Sequence, residues 1–243
     1  MEAIISNVYN LPIAINICEQ ELREVLSFSN ISVAHVVMAV DAVSLLHEHY
    51  SMAEVYVLTR GTGILTHGSS SSEVHKGASI VIPPRTPHKL KNIGSLPLEH
   101  LVFATPPFTV DDVHLVDDSS FIISSPNPYV IQKPPAQALD GVFIYELLND
   151  NELKSLRFSL AIGVLPVGRE ARLHYHKASE EIYYVMDGIG IARLGNMSAP
   201  IKRGSVIQIP PLTTHALKNN GNSQLEILCL SSPTYKDEDF IFP

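Results

Sequence analysis

Cysteine and basic clusters are scarce or absent in this chain, and each shortage excludes a class of protein. The two cysteines, Cys18 and Cys229, are too few for a disulfide framework. Lysine and arginine number 17 against 25 acidic residues, giving a net charge of −8, and no basic stripe indicates a nucleic-acid surface. Charged residues make up only 17% of the chain, which argues against long disordered tails.

Long apolar runs are also missing. No stretch approaches the roughly 20 apolar residues that a membrane-spanning helix needs. The N-terminal sequence MEAIISNVYNLPIAIN lacks the basic start, apolar run and small-residue cleavage site of a secretory signal. Hydrophobic residues make up 45% of the chain, which is enough for a packed core. We therefore expect a cytoplasmic protein with neither nucleic-acid nor membrane partners.

The most informative feature is a set of metal-binding residue types that occurs twice. The first set is His47, His49, Glu54 and His88, and the second, 127 residues later at every position, is His174, His176, Glu181 and His215. Glycines and prolines between these positions follow the same offset, including Gly61 with Gly188, Gly77 with Gly204, and Pro83-Pro84 with Pro210-Pro211. A duplication that preserved its internal spacing explains this pattern, with copies at about 14–113 and 141–240.

Each copy has the sequence pattern of β structure. Apolar, β-branched-rich runs occur at 31–40, 54–58, 79–83 and 98–103, with counterparts at 158–165, 181–185, 205–210 and 225–230. Many short strands separated by glycine and proline predict a sandwich or barrel rather than an α/β fold. Helix signals are weak: residues 19–26 favour one or two turns, and 237–240 about one. We interpret the proline-rich segment 114–140 as an ordered crossover along an edge, with strand-like stretches at 121–123 and 129–131.

The spacing within each set suits a single metal ion. In an extended strand, residues i and i+2 point to the same face, so the two histidines of each His-x-His project together. The glutamate follows a short loop, and the last histidine follows a Pro-Pro turn. Three imidazoles and one carboxylate suit Mn, Fe, Co, Ni, Cu or Zn and leave open positions on an octahedral ion, unlike a cysteine-rich structural zinc site. We predict one divalent transition metal per copy, with Fe or Mn favoured over Cu, Ni and Zn.

Strand parity predicts three further side chains near the metal ions. Tyr56 and Tyr183 each follow the glutamate by two residues, where a hydroxyl could bind substrate; a core aromatic is the alternative. Arg172 precedes His174 by two residues, where the first copy has Leu45, and a cation there would suit a carboxylate or phosphate; a rim salt bridge is the alternative. We assign Tyr56, Tyr183 and Arg172 as candidate catalytic residues, and we expect the first pocket to be the more apolar one.

The two copies resemble the cupin superfamily in both of its motifs. Those motifs are written G-x5-H-x-H-x3,4-E-x6-G and G-x5-P-x-G-x2-H-x3-N. Copy one has His47-x-His49-x4-Glu54-x6-Gly61 and Gly77-x5-Pro83-x-Arg85-x2-His88-x3-Asn92, and copy two has His174-x-His176-x4-Glu181-x6-Gly188 and Gly204-x5-Pro210-x-Leu212-x2-His215-x3-Asn219. Two departures concern glycines: Asp41 stands at the leading position of the first motif in copy one, where copy two has Gly168, and Arg85 and Leu212 stand at the glycine position inside the second. We expect the turn geometry there to differ.

The resemblance implies an all-β bicupin, with tandem jelly-roll (double-stranded β-helix) cupin barrels, related by a pseudo-twofold axis, that each hold a metal in the mouth. We place the N-terminal barrel at 1–118 and the C-terminal barrel at 119–243. The first functional hypothesis is a metal-dependent oxidoreductase of dioxygenase type. The alternatives are a metal Lewis-acid isomerase, epimerase, cyclase or lyase, and a non-enzymatic metal- and ligand-binding cupin. The expected partner is a small-molecule substrate, with an anionic one as an option, and a homodimer is compatible with the sequence.

Overall fold

The chain forms short antiparallel strands joined by tight turns. The computed structural model describes residues 3–16, 20–27, 30–118, 135–148 and 156–243. Before residue 119 the strands are β1 (Ile4–Asn7), β2 (Glu21–Ser27), β3 (Ser32–Met38), β4 (His47–His49), β5 (Ala53–Arg60), β6 (Thr62–His67), β7 (Ser70–His75), β8 (Ser79–Ile82), β9 (His88–Asn92), β10 (Leu98–Thr105) and β11 (Val113–Leu115). After it they are β12 (Ala136–Gln137), β13 (Phe143–Leu148), β14 (Ser159–Leu165), β15 (Tyr175–His176), β16 (Glu180–Asp187), β17 (Ile189–Leu194), β18 (Met197–Lys202), β19 (Ser205–Ile209), β20 (His215–Asn219), β21 (Leu225–Ser232) and β22 (Phe240–Ile241). None of the helical turns in these described stretches is long and apolar enough to cross a membrane.

The chain divides into two compact units that are not strictly consecutive in sequence. The C-terminal unit comprises Met1–Asn10 and Gln132–Pro243, and the N-terminal unit comprises Leu11–Ile131. Strand β1 pairs antiparallel with β19, and the adjoining Val8 is fully buried. The first ten residues are therefore grouped with the second copy. The division at 118/119 stays a prediction, because residues 119–134 lie outside the described part of the chain.

The N-terminal unit consists of two five-stranded antiparallel sheets around a shared core. Their strand orders are β2-β3-β10-β5-β8 and β11-β4-β9-β6-β7. Val36 and Leu58 from the first sheet and Leu65 and Leu90 from the second belong to one buried cluster. Alternate residues of each strand face this core, as the two-residue period of a strand requires. Two antiparallel sheets enclosing one core form the predicted jelly roll.

The C-terminal unit repeats this plan with a larger first sheet. A seven-stranded sheet has the order β1-β19-β16-β21-β14-β13-β12, and β18-β17-β20 and β15-β22 form two smaller sheets. The core cluster takes Val185, Ile207 and Ile227 from the large sheet and Leu217 from β20. The all-β tandem-barrel prediction is confirmed.

The predicted strands are found close to their predicted positions, but one weak helix signal was wrong. Strands β3, β5, β8 and β10 and their counterparts β14, β16, β19 and β21 lie on the predicted runs. One or two helical turns were predicted at residues 19–26. Residues 21–27 instead form β2, which pairs with β3 from Glu21↔Val37 to Ser27↔Ser32. Pairing with a neighbouring strand outweighs a weak local preference. The predicted turn near 237–240 is present as a 3-10 turn at Asp237–Asp239. The strand-like stretches 121–123 and 129–131 lie outside the described residues.

The turns with departures from the glycine motif keep the left-handed backbone that glycine would supply. Arg85 and Leu212 have φ angles of 61° and 64°, and Asp41 and Gly168 have 62° and 74°. The expectation that these turns differ in geometry was therefore wrong. Leu212 donates its backbone N–H to the carbonyl of His176 at 2.7 Å, and Arg85 donates to that of His49 at 2.6 Å. These bonds fasten each turn to the His-x-His strand, and a left-handed residue other than glycine costs about 1–2 kcal/mol.

The offset between the copies changes at one point. Ala14 pairs with Leu22 in the first copy, and Ala136 pairs with Ile144 in the second, which is an offset of 122. From Ser32 and Ser159 onward the offset is 127. The second copy thus has five more residues from Ile144 to Ser159 than the first has from Leu22 to Ser32. This difference matters for matching residues of the two sites that precede β3 and β14.

Candidate metal centres and the adjoining cavity

The structure brings all eight predicted ligands together in two groups. In each group of three histidines and one glutamate, the donor atoms lie within 4.8 Å of one another. The His-x-His residues and the last histidine lie opposite each other, with His47 paired to His88 on β4 and β9, and His174 paired to His215 by an isolated bridge. Glu54 and Glu181 project from β5 and β16. All eight side chains are buried.

Backbone carbonyls orient the first and last histidine of each group. Each Nδ1 lies near the carbonyl oxygen two residues earlier in the chain: His47 near Leu45 (2.9 Å), His88 near Thr86 (3.0 Å), His174 near Arg172 (2.8 Å) and His215 near Thr213 (2.9 Å). Because a carbonyl can only accept, the proton belongs on Nδ1, and the Nε2 lone pair is left for a metal.

An aspartate supports the middle histidine and its loop in each group. His49 Nδ1 is 3.1 Å from the backbone oxygen of Asp112, whereas His176 Nδ1 is 3.5 Å from the side-chain oxygen Oδ2 of Asp239. The carboxylates also accept backbone N–H groups of the loop before the glutamate: Asp112 from Tyr50, Ser51 and Met52, and Asp239 from Ala178 and Ser179. We did not predict this pair, although the 127-residue offset also relates Asp112 to Asp239.

The buried donor atoms converge in a way that fits a cation. Glu54 Oε2 lies 3.3 Å from His49 Nε2 and 3.0 Å from His88 Nε2, and Glu181 Oε2 lies 3.2 Å and 3.0 Å from the matching atoms of His176 and His215. The Nε2 atoms of His49, His88 and His176 and Oε2 of Glu54 make no hydrogen bond. Buried polar atoms are almost always satisfied, so a cluster of unsatisfied lone pairs is what a metal site leaves behind. The residues fit one metal ion in each unit.

The protonation states differ within each group. Burial, reinforced by the nearby His88 or His215, lowers the pKa of His47 and of His174 to about 4. Burial also lowers the pKa of His49 and His176, but the adjacent glutamate outweighs it and the net pKa is raised. Burial alone would raise the pKa of the two glutamates, yet their histidine partners hold it well below its usual range. Each glutamate is therefore an anion ready to ligate.

Both predicted tyrosines lie beside the ligand groups. The Tyr183 hydroxyl donates to Glu181 Oε2 at 2.8 Å and lies 3.2 Å from His215 Nε2. Burial, together with the Glu181 charge, raises the pKa of Tyr183 well above its usual value. The Tyr56 ring is buried, with its centroid 5.7 Å from that of His88. Tyr183 can therefore hold a proton beside the metal position, and catalytic roles for both tyrosines stay predictions.

Arg172 is not brought into the site. Its side chain is exposed, and its guanidinium lies over the Phe242 ring at 3.6 Å from the centroid. Leu45, its counterpart, is 44% exposed. Strand parity had predicted that both side chains face the metal site. Strand β15 begins only at Tyr175, so the residues before it do not alternate between two faces as strand residues do. A functional role for Arg172 stays a prediction, and the contrast with Leu45 does not distinguish the two interiors.

His100 distinguishes the interior of the N-terminal barrel. It is 2% exposed on β10, its ring centroid lies 5.0 Å from that of Tyr56, and its Nδ1 has no hydrogen-bond partner. Burial, with a contribution from His35, lowers its pKa to about 3, so the imidazole is neutral. The residue at the same place in the second copy is Ile227. At this position, the first interior is the more polar one.

A cavity of about 790 Å³ adjoins the metal group of the C-terminal unit. Its wall includes ligands His174, His176, Glu181 and His215, together with Tyr183. The rest is largely apolar, with residues of the β12–β13 hairpin and of β14 and β21. The described residues of this wall include no lysine or arginine, but they include Asp140 on the hairpin. The size and apolar lining suit an organic molecule larger than a simple inorganic ion.

Two known proteins match parts of this sequence. The chain is 47% identical over 100 residues to an uncharacterized protein of Methanocaldococcus jannaschii, covering 41% of this chain and 80% of that protein. It is 36% identical over 66 residues to the oxalate-binding protein of Thermotoga maritima, covering 27% of this chain and 54% of that relative.

A solved structure shares the fold of the whole chain. Bacillus subtilis oxalate decarboxylase, described with Mn(II) centres, superposes with a TM-score of 0.73 at 14% identity, covering 100% of this chain and 80% of that one. At this identity the likeness concerns the fold. The Cupin domain family matches residues 34–104 and 161–231, and each of these two ranges contains all four ligands of one metal-binding group. The chain therefore belongs to the cupin family, as a bicupin with one metal-binding group in each barrel.

Proposed function

We propose that the protein is a metal-dependent oxidoreductase of dioxygenase type that acts on a small organic molecule in the C-terminal barrel. The observation that carries this proposal is the position of the His174, His176, Glu181 and His215 group in the wall of the roughly 790 Å³ cavity. Four protein ligands leave open positions on an octahedral ion, and the cavity gives a substrate access to them. Fe or Mn is the favoured metal, and Mn(II) is the ion named for the Bacillus subtilis decarboxylase.

Residues around the C-terminal metal group have distinct roles in this proposal. A bound ion would supply Lewis acidity and, if redox-active, electron transfer with dioxygen. The carbonyls of Arg172 and Thr213 hold two imidazoles in the ligating tautomer. The Tyr183 hydroxyl donates to Glu181 and stays protonated, so it is placed to supply a hydrogen bond or a proton to a substrate oxygen. Apolar side chains such as Val142, Ile144 and Leu217 offer a surface for the body of an organic substrate.

A redox-neutral lyase or isomerase is the second candidate. The specific observation in its favour is Tyr183, a buried acid within hydrogen-bond distance of two metal-ligand atoms. Such a group would suit proton transfer to a substrate polarised by a Lewis acid. Oxalate is one substrate to test because a relative is named for binding it. Apart from a bound metal ion, the described residues of the cavity wall offer no cationic side chain to a dianion.

Metal content is the first measurement. The chain is purified without a metal-binding tag, and elemental mass spectrometry should find about two equivalents of metal per chain. A variant with His47 and His49 both replaced by Ala should retain about one equivalent, as should one with His174→Ala and His176→Ala. No metal after reconstitution with Fe(II) or Mn(II) would end the enzyme proposal.

Isotope labelling then separates the two reaction types. The Fe(II)- or Mn(II)-loaded protein is incubated under ¹⁸O₂ with a panel of phenols, enols, diols and oxalate, and products are analysed by mass spectrometry. We expect ¹⁸O in a product of the intact protein and none with His174→Ala and His176→Ala. Equal turnover under argon would overturn the dioxygenase proposal in favour of the redox-neutral one. Metal binding with no turnover of any compound, with or without O₂, would favour a binding protein.

A further inference from the structure

The cavity of the C-terminal unit contains a carboxylate that metal binding does not use. Asp140 lies between strands β12 and β13, at the tip of their hairpin. Its side chain is 10% exposed and lines the same cavity as His174 and Glu181. A carboxylate this buried needs partners, because transferring an unpaired charge out of water is costly.

The backbone holds Asp140 firmly in this place. Across the tip, Ala138 N–H donates to the Val142 carbonyl at 2.8 Å, and Gly141 N–H donates to the Ala138 carbonyl at 3.0 Å. Gly141 has a φ of 92°, a conformation that favours glycine. The Asp140 carbonyl accepts the Arg172 N–H at 3.0 Å, and Arg172 in turn orients the ligand His174. The hairpin tip is thus fixed relative to the metal group.

One oxygen of this carboxylate is satisfied and the other is not. Oδ1 accepts the Val142 N–H at 3.1 Å. Oδ2 lies 4.0 Å from His174 Nδ1, beyond hydrogen-bonding distance, and that Nδ1 already donates to the Arg172 carbonyl at 2.8 Å. Among the described side chains, His174 is the one whose nitrogen lies this near Oδ2, and it does not donate to it. An acceptor at the wall of a cavity without a side-chain donor is available to a donor group of a bound molecule.

The surroundings indicate what kind of donor would bind. Next to Asp140 the wall is apolar, with Val142, Ile144 and Leu217. The other ionisable wall residues outside the metal group are Glu146, Tyr183, Cys229, Tyr235 and Asp237, and none of the described ones is Lys or Arg. A ligand carboxylate or phosphate placed against Asp140, rather than on the metal ion, would face that carboxylate without a cationic side chain to offset the repulsion. A hydroxyl or an ammonium group would be attracted.

We propose that Asp140 determines substrate specificity by accepting, through Oδ2, a hydrogen bond from a hydroxyl or ammonium group of the molecule bound beside the C-terminal metal group. The substrate class is an uncharged or cationic organic molecule with an apolar body. This inference rests on the proposed function only in taking the cavity as the substrate site. The residue 122 positions earlier in the sequence is Cys18, which carries no carboxylate.

Three probes with the same ring test the hydrogen bond. Benzylamine offers a cationic donor, benzyl alcohol a neutral donor and benzyl methyl ether none. Their dissociation constants are measured by NMR titration on the full chain reconstituted with Zn(II), for the unchanged protein and for Asp140→Asn. Asparagine keeps an oxygen for the Val142 N–H, so the hairpin should persist.

We expect Asp140→Asn to weaken benzylamine binding about tenfold or more and benzyl alcohol binding about threefold. Benzyl methyl ether binding should change less than about twofold, because no hydrogen bond is lost and the apolar wall is intact. The matched control is Glu170→Gln, which removes a charge from an exposed ion pair with Lys218 and should leave all three constants unchanged.

Two results would overturn the proposal. Equal benzylamine affinity in the unchanged protein and in Asp140→Asn would show that Oδ2 contacts no ligand donor. An equal loss for all three probes would show that Asp140 only shapes the hairpin. If Asp140→Asn does not fold, Asp140→Ala is measured by the same criteria. The proposed oxidoreductase activity fails separately, through the ¹⁸O₂ experiment, and probe selectivity does not depend on turnover.

Discussion

At the scale of single residues, a substitution of Tyr183 should affect catalysis without affecting metal binding. Tyr183→Phe keeps the buried ring but removes the hydroxyl that donates to Glu181. We expect an unchanged metal content and a turnover rate lowered by about 100-fold, the contribution typical of a positioned acid. Elemental analysis and product formation are measured on the same sample. Tyr56→Phe in the other barrel is the matched control, and loss of metal from Tyr183→Phe would contradict the assignment.

The histidine pKa values predict how pH affects the metal sites. In the metal-free protein, Glu54 and Glu181 raise the pKa of His49 and His176 above the ordinary value of 6.5, despite burial. A metal must displace these protons, so its affinity should rise between pH 6 and pH 8. In the metal-free protein, the protonated pairs of His49 with Glu54 and of His176 with Glu181 contribute stability fully below the unfolded pKa, and that contribution is lost as pH rises through the raised folded pKa. His47 and His174 act in the opposite sense, because burial lowers their folded pKa to about 4 and they cost stability as pH falls through 6.5.

Calorimetry can detect the displaced protons. Zn(II) binding is titrated at pH 6 and pH 8, each in two buffers with different ionisation enthalpies. The buffer dependence of the heat should be larger at pH 6, where more of His49 and His176 is protonated. Heats independent of buffer at pH 6 would contradict the raised pKa values.

The eight ligands were predictable from sequence because their geometry depends on short spacings. Residues i and i+2 of a strand share a face, and the repeat fixed the rest. Asp140 was not predictable in the same way, since the turn that places it precedes the point where the offset changes from 122 to 127. Arg172 was misplaced because parity was applied to residues that are not in a strand.

At the scale of elements, the loop between the His-x-His strand and the glutamate depends on one aspartate in each barrel. Asp239→Ala removes the acceptor for Ala178 and Ser179 and the side-chain contact to His176. Metal affinity of the C-terminal site should fall by about 10–100-fold. Chelator competition measures this in a background with His47→Ala and His49→Ala, where only that site remains.

The first barrel supplies a matched comparison. Asp112→Ala also removes the loop bonds, but His49 contacts the backbone oxygen of residue 112, which alanine retains. The loss of affinity should therefore be smaller there, measured in a background with His174→Ala and His176→Ala. Equal losses in the two barrels would show that the loop bonds alone matter. The sequence did not indicate these aspartates, because Asp112 follows His49 by 63 residues and has no motif around it.

At the scale of the whole molecule, the N-terminal residues should stabilise the far end of the sequence. Val8 is fully buried in the C-terminal unit, and its N–H donates to the Gly204 carbonyl at 2.9 Å. Val8→Ala should lower the free energy of unfolding of that unit by about 1–3 kcal/mol. Urea unfolding, with metal release followed for each site, should show earlier loss from the C-terminal site. Ile15→Ala, at a fully exposed position, is the control.

The two barrels could be predicted from the sequence, but the pairing of β1 with a strand of the second copy could not. Short β-branched runs and their repeat predicted two all-β units, and the structure contains them. Residues 4–7 carry no pattern that identifies a partner, and that partner, β19, lies on the second copy. Pairing of this range is a matter of tertiary contact, which local periodicity does not encode. A homodimer and a cytoplasmic location stay predictions.

The pairing of β1 with β19 also has a consequence for the order of events during synthesis. The Asn7 side chain binds the carbonyl of Arg203, 196 residues further along the chain. At about 5–20 residues per second, a ribosome takes about 10–40 s to cover that distance. Throughout this interval β1 has no native partner, and every strand of the first barrel is synthesised within it. The C-terminal barrel is therefore the last part of the protein to complete its sheet. It can do so only if β1, which was synthesised much earlier, is still free to pair with β19.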